Sequence, residues 1–193
     1  MISILKSLLL TAILIAVSGC GSESSGPKSQ LQTLNGVEYL PLEGAVLKSG
    51  DSLIEGSGKI LFRKPLTDED NNFDLSFKLG QSGSLCLIAL SDDSLKTGLN
   101  VCFATAQNGA LQVTLKDGNS PANDISDKFA ATSSGDLSVS MDVHGHGHLV
   151  FWLNGGEEVE LPFMSRPTGT LWGLSLSDAA VKSAVQGPAK EAH

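Results

Sequence analysis

Residues 137–153 read LSVSMDVHGHGHLVFWL, and the order of apolar and polar side chains in them decides the fold. Leu137, Val139, Met141 and Val143 alternate with Ser138, Ser140 and Asp142; beyond Gly145, His146 and Gly147 the alternation resumes with Leu149, Phe151 and Leu153. Successive side chains of a strand point to opposite faces, so a period of two marks a strand with one buried face, whereas a helix needs apolar residues three and four apart. Pairing Val143 with Leu149 around the glycine turn puts Met141 opposite Phe151 and Val139 opposite Leu153, all on one side. A slip of one residue would turn one set out to water, so the pattern specifies this register. The opposite side then carries Asp142, His144, His148, Val150 and Trp152.

The same period recurs outward from this hairpin. Phe73, Leu75, Phe77 and Leu79 alternate with Asp74, Ser76 and Lys78; Leu111, Val113 and Leu115 alternate with Gln112, Thr114 and Lys116. Further strands are expected at 59–63, 84–90, 99–104, 157–161, 170–176 and 180–186, with turns at Asn108–Gly109, Asp117–Gly118 and Asn154–Gly155–Gly156. Many short strands between glycine-rich turns predict an all-β protein, a two-sheet antiparallel jelly-roll sandwich with little helix. Trp172, alternating with Leu174 and Leu176, reads as core.

The amino terminus carries a different message. Lys6 precedes an apolar run over 8–17, then Ser18, Gly19 and Cys20. A basic start, a short apolar run and small residues form an export signal; the run is shorter than the ~20 residues a spanning helix needs. The sequence Val17-Ser18-Gly19-Cys20 resembles the bacterial lipoprotein signal, which implies cleavage before Cys20 and acylation of its thiol. An ordinary signal peptide or membrane anchor that happens to contain a cysteine is the alternative. Gly21 stands where aspartate would favour inner-membrane retention in Gram-negative lipoproteins, so the resemblance implies a lipid-anchored envelope protein at the outer membrane. Residues 21–29 hold no apolar side chain to bury and read as a flexible tether. The expected division is thus a signal at 1–19, a lipidated tether at 20–35, a sandwich domain at 36–186 and a tail at 187–193.

Cleavage before Cys20 removes one of 13 basic residues and none of the 21 acidic ones, so the mature chain is more acidic than the full chain's −8. Such a charge repels nucleic acid and anionic headgroups, leaving the lipid as the membrane contact. With Cys20 acylated, two thiols remain. Setting Cys86 opposite Cys102 places Leu85, Leu87 and Ala89 against Phe103, Val101 and Leu99, every one on the same face. Directly opposed residues of antiparallel strands are within disulfide reach, and an exported chain meets oxidising conditions. A Cys86–Cys102 disulfide is therefore predicted, two free buried cysteines being the alternative.

Residues 137–161, LSVSMDVHGHGHLVFWLNGGEEVEL, resemble the late hairpin of concanavalin A-like and laminin G-like domains. The preceding GSLCLIALSDDSLKTGLNVCFATAQNGALQVTLKDG and the following GTLWGLSLSDAAVKSAV are similar in spacing, so the likeness covers about residues 72–185. The resemblance implies a jelly roll whose concave sheet or rim loops hold carbohydrate, calcium or a protein partner. Laminarinase-type members place catalytic acids at alternate positions of one strand. Glu158 and Glu160 have that spacing, but Leu161, Pro162 and Phe163 follow where a third acid would stand.

Other chemistry is weighed residue by residue. His144, His146 and His148 offer imidazoles for zinc, copper or nickel, against the plainer reading of a wet hairpin tip. Asp68, Asp70 and Asn72 alternate oxygen ligands, yet Phe73 stands where an EF-hand needs glycine. Asp117, Asn119, Asn123, Asp124 and Asp127 form an oxygen-rich loop of the hydrated kind. No serine sits in a glycine-flanked elbow. No catalytic residue and no cofactor are assigned. An outward Trp152 with His148 and His144 forms the candidate ligand site, the ring to pack on a sugar's CH face and the polar groups to meet its hydroxyls, against the plainer reading that an adjacent loop or the amino-terminal segment covers the ring. The expected function is a non-catalytic recognition or adhesion module for a glycan or a protein. A structural envelope lipoprotein without ligand and a degenerate glycoside hydrolase remain as alternatives.

Overall fold

The computed structural model describes residues 30–48, 53–129, 131–144, 147–162 and 168–188. The signal segment, Cys20, most of the tether, His146 and residues 189–193 lie outside the described residues. Among those described, the chain forms eleven strands: β1 (Gln32–Leu34), β2 (Val37–Lys48), β3 (Ile54–Phe62), β4 (Asn72–Ser91), β5 (Leu99–Thr105), β6 (Leu111–Asp117), β7 (Asn123–Asp124), β8 (Asp136–His144), β9 (His148–Leu153), β10 (Val159–Pro162) and β11 (Leu171–Gly187). One 3-10 turn, Ser126–Lys128, is the helical element among them. β1 falls inside the 20–35 stretch assigned to the tether, where Gln32, Thr33 and Leu34 pair with Tyr39, Glu38 and Val37.

Two long strands, β4 and β11, make one sheet into two layers. Their halves pair twice: Gly173 to Ser177 lie against Ile88 to Ser84, and Ala179 to Gly187 against Leu79 to Asn72. The first halves belong to a layer ordered β1-β2-β3-β11-β4-β5-β6-β7. The second halves continue through β8, which pairs with Asn72 to Lys78, and on to β9 and β10. Every pairing is antiparallel, and the architecture is the jelly-roll sandwich predicted above.

Between the halves, residues 80–83 of β4 oppose the single Asp178 of β11. A β-carbon on Gly80 would collide with the Asp178 carboxylate, and one on Gly83 with the Asp178 carbonyl oxygen. Glycines at an irregular stretch let paired strands turn a corner together. The sequence reading took 73–79 and 84–90 as separate strands, with Gly80-Gln81-Ser82-Gly83 between them. The chain bends there instead of reversing, and 170–176 and 180–186 join into one strand for the same reason. β2 had no announced period, since its register shifts between Pro41 and Glu43.

The corner brings the two apolar faces together. Phe103 of the first layer stacks on Phe151 of the second at 5.8 Å, Phe77 meets Phe103 at 5.3 Å, and Phe73 meets Trp172 at 4.4 Å. Phe77, Val113, Met141, Phe151 and Trp172 belong to one buried cluster. Fully burying a large apolar side chain contributes about 1.5 to 3 kcal/mol, so this interior supplies most of the driving force.

Both registers read from the sequence are present: Cys86 faces Cys102, and Val143 faces Leu149. The two cysteines form a disulfide, their Cα atoms 3.9 Å apart, on the outer side of the first layer. Part of that side is filled by apolar residues. Leu61, Ile88 and Leu95 form a second buried cluster with Leu40, Leu42 and Leu171 packed against it, and Leu95 occupies the space a side chain on Gly173 would need. The polar outer side of the second layer remains.

Candidate binding site on the second layer

The pleat dictates what this side displays. With Phe73, Leu75 and Phe77 turned inward, β4 shows Asp74, Ser76 and Lys78; β8 shows Ser138, Ser140, Asp142 and His144; β9 shows His148, Val150 and Trp152. Strand pairing then sets them in rows. Val185, Asp74, Ser140 and Trp152 lie side by side across four strands, and Ser183, Ser76 and Ser138 form the next row. Strands are about 4.8 Å apart, so three steps from Trp152 to Val185 span roughly 14 Å.

A groove of about 460 Å³ follows these rows, lined by Trp152, Asp74, Ser76, Ser138, Ser140 and Ser183. Gly155 and Gly156 close one end. Their turn is held from below: the Asn154 amide donates to the Ser138 carbonyl at 2.7 Å, and Asn154 Oδ1 accepts from the Ser138 amide at 2.9 Å. Asn154 and Gly155 both have positive φ, 53° and 67°, as a tight hairpin turn requires. Trp152 is half-buried. An indole beside hydroxyls and one carboxylate can pack against an apolar CH face while the polar groups meet hydroxyls.

Trp152 thus sits in a groove, but His144 and His148 line none of it. The two histidines are opposed at the other end of the hairpin, four residues along β9 from Trp152. Sequence reading missed Asp74, Ser76, Ser138, Ser140 and Ser183 as lining residues. Each lies on an expected strand, yet what unites them is the pairing of β4 with β8, which joins residues 58 or more apart in sequence, and of β4 with β11.

The other candidates are placed as follows. Glu158 precedes β10 and Glu160 lies on that edge strand, both exposed and outside the groove. Asp142 is 1% exposed and accepts a hydrogen bond from Asn72 Nδ2, which also reaches Ser140 Oγ at 3.1 Å. Asp70 pairs with Lys64 at 2.7 Å. In the oxygen-rich loop, the Ser126 hydroxyl donates to Asp124 and holds its carboxyl below the usual carboxylate value, helped by the Ser126 amide and the Gln112 side chain. Among the described residues, no three histidine, cysteine, aspartate or glutamate side chains converge as a metal cluster.

No protein-family model and no curated protein matches the chain. Solved structures do. The carbohydrate binding module CBM66 from Bacillus subtilis superposes with a TM-score of 0.52 at 11% identity, over 82% of this chain and 91% of that one. A tetrameric galectin from the ball sponge Cinachyrella sp. gives 0.51 at 15% identity, over 67% of this chain and 97% of that one. At such identities the likeness establishes the fold alone: this chain is a jelly-roll β-sandwich.

Proposed function

We propose that the protein is a non-catalytic glycan-recognition module of the bacterial envelope, related to concanavalin A-like and laminin G-like domains and held by lipid at Cys20. The observation that carries the reading is the row Trp152–Ser140–Asp74, an aromatic ring beside hydroxyl and carboxylate along a groove on the outer side of the second layer. The structural neighbours, a carbohydrate binding module and a galectin, support a sugar as ligand. The sequence Val17-Ser18-Gly19-Cys20 supports the anchor, and Gly21 the outer membrane. Asp74 is the carboxylate among the groove's lining residues, and hydrolysis of a glycosidic bond by the usual route needs two.

A form beginning at Gln30, where the described fold starts, is screened on a glycan array beside Trp152→Ala. Binding to a defined glycan class that the variant loses supports the reading. Binding unchanged in the variant removes the groove from it, and capture of a protein but no glycan replaces sugar with a protein ligand. For the anchor, mass spectrometry of the amino-terminal peptide is expected to find diacylglycerol on Cys20, absent in Cys20→Ser.

A further inference from the structure

The β8–β9 hairpin ends in a pair of histidines that the groove does not use. His144 and His148 directly oppose one another. Their imidazole rings lie face to face, centroids 4.6 Å apart and planes 22° from parallel. Both are half-buried on the outer side of the second layer. The turn pins them there: the Gly147 amide donates to the His144 carbonyl at 3.2 Å, with Gly147 at a φ of 104°.

We propose that His144 and His148 form a chelating site for a late first-row divalent metal ion, Cu²⁺ most tightly, then Ni²⁺ and Zn²⁺. Imidazole nitrogen is a favoured ligand of all three, and affinity peaks at copper. A metal–nitrogen bond of about 2.0 to 2.1 Å sets two nitrogens on one ion roughly 3 Å apart. The rings now stack with their planes nearly parallel, so both must turn about χ1 and χ2 before a nitrogen of each points at one ion. Asp142 faces the same side but is already engaged by Asn72, so the protein supplies two imidazoles and water completes the shell. That is an open, exchangeable site, unlike a four-ligand structural zinc centre.

Folding is what assembles the pair. In the unfolded chain His144 and His148, separated by Gly145, His146 and Gly147, hold no fixed spacing, so an ion that uses this pair binds the folded state better and raises its melting temperature. The full chain is titrated with CuCl₂ and NiCl₂, read by copper electron paramagnetic resonance and by thermal unfolding. Expected are one equivalent bound, nitrogen couplings from two imidazoles and a rise in melting temperature. His144→Gln and His148→Gln should each weaken binding by about tenfold or more, with metal-free melting unchanged because neither ring belongs to the core. Equal binding by the double variant, a melting temperature indifferent to metal, or loss confined to His146→Gln would each overturn the site. Trp152→Ala should bind metal as the parent does, so failure here and failure of the glycan reading are separable.

Discussion

Trp172 Nε1 donates a buried hydrogen bond of 2.7 Å to Gln186 Oε1, although both residues belong to β11 and stand 14 positions apart. In a straight strand they would be roughly 46 Å apart. The bond therefore records the corner at Asp178, which folds the strand until its ends face one another across the core. Gln186 Nε2 adds donations to the Pro65 carbonyl at 2.8 Å and the Asp70 carbonyl at 2.9 Å, tying the β3–β4 loop to the same point.

Gln186→Leu strips three partners at once. A buried polar group left unsatisfied costs about 1 to 3 kcal/mol, so the variant should lose about 2 to 4 kcal/mol in urea unfolding followed by tryptophan fluorescence. A loss below 0.5 kcal/mol, the usual range of a surface change, would show that the bond does not hold the halves together.

At the corner itself, Gly83→Ala drives a methyl into the Asp178 carbonyl. Overpacking against backbone costs about 1 to 3 kcal/mol. Gly187→Ala, with nothing within 4 Å of the added carbon, should stay within about 0.5 kcal/mol of the parent. Equal melting temperatures for the two would refute the corner's dependence on glycine.

The Cys86–Cys102 bridge closes a loop of 16 residues. In the chain-entropy model such a closure contributes about 3 kcal/mol, so Cys86→Ala with Cys102→Ala should unfold at clearly lower denaturant with the fold intact. Circular dichroism of the folded double variant checks that the strands persist, since their register is also set by Leu85, Leu87 and Ala89.

Asp124 supplies the pH test. The Ser126 hydroxyl, then its amide and Gln112, lower its pKa, so the folded chain favours the carboxylate. A depressed acid gives stability that is complete above its unfolded value and lost as pH falls through the folded one. Ser126→Ala should bring the Asp124 titration, followed by carbon-13 NMR, back up toward 3.8. An unmoved titration would assign the depression elsewhere.

Much of the fold was legible because its information is local. Residues 137–153 carry both the period and the turn, and the apolar sets of 84–90 and 99–104 agree in only one register, so two hairpins could be aligned from side chains alone. The corner was not legible, since Gly80-Gln81-Ser82-Gly83 has the composition of a reversal and only Asp178, far along the chain, makes it a bend. The groove was half legible. Trp152 announced itself by pointing away from the apolar set, but Asp74 and Ser183 join it through pairings between distant strands, which periodicity does not encode. His144 and His148 were read as cross-strand neighbours and do oppose one another, but they line none of the groove that holds Trp152, because a strand face is long enough to hold two separate features.

β11 is the last strand among the described residues and lies between β3 and β4 in the sheet. Until residues 171–187 have been synthesised, β3 and β4 have no common neighbour and neither layer can be completed. Truncation of these 17 residues should leave β1-β2-β3 with no strand to pair it to β4, so the sheet parts between β3 and β4.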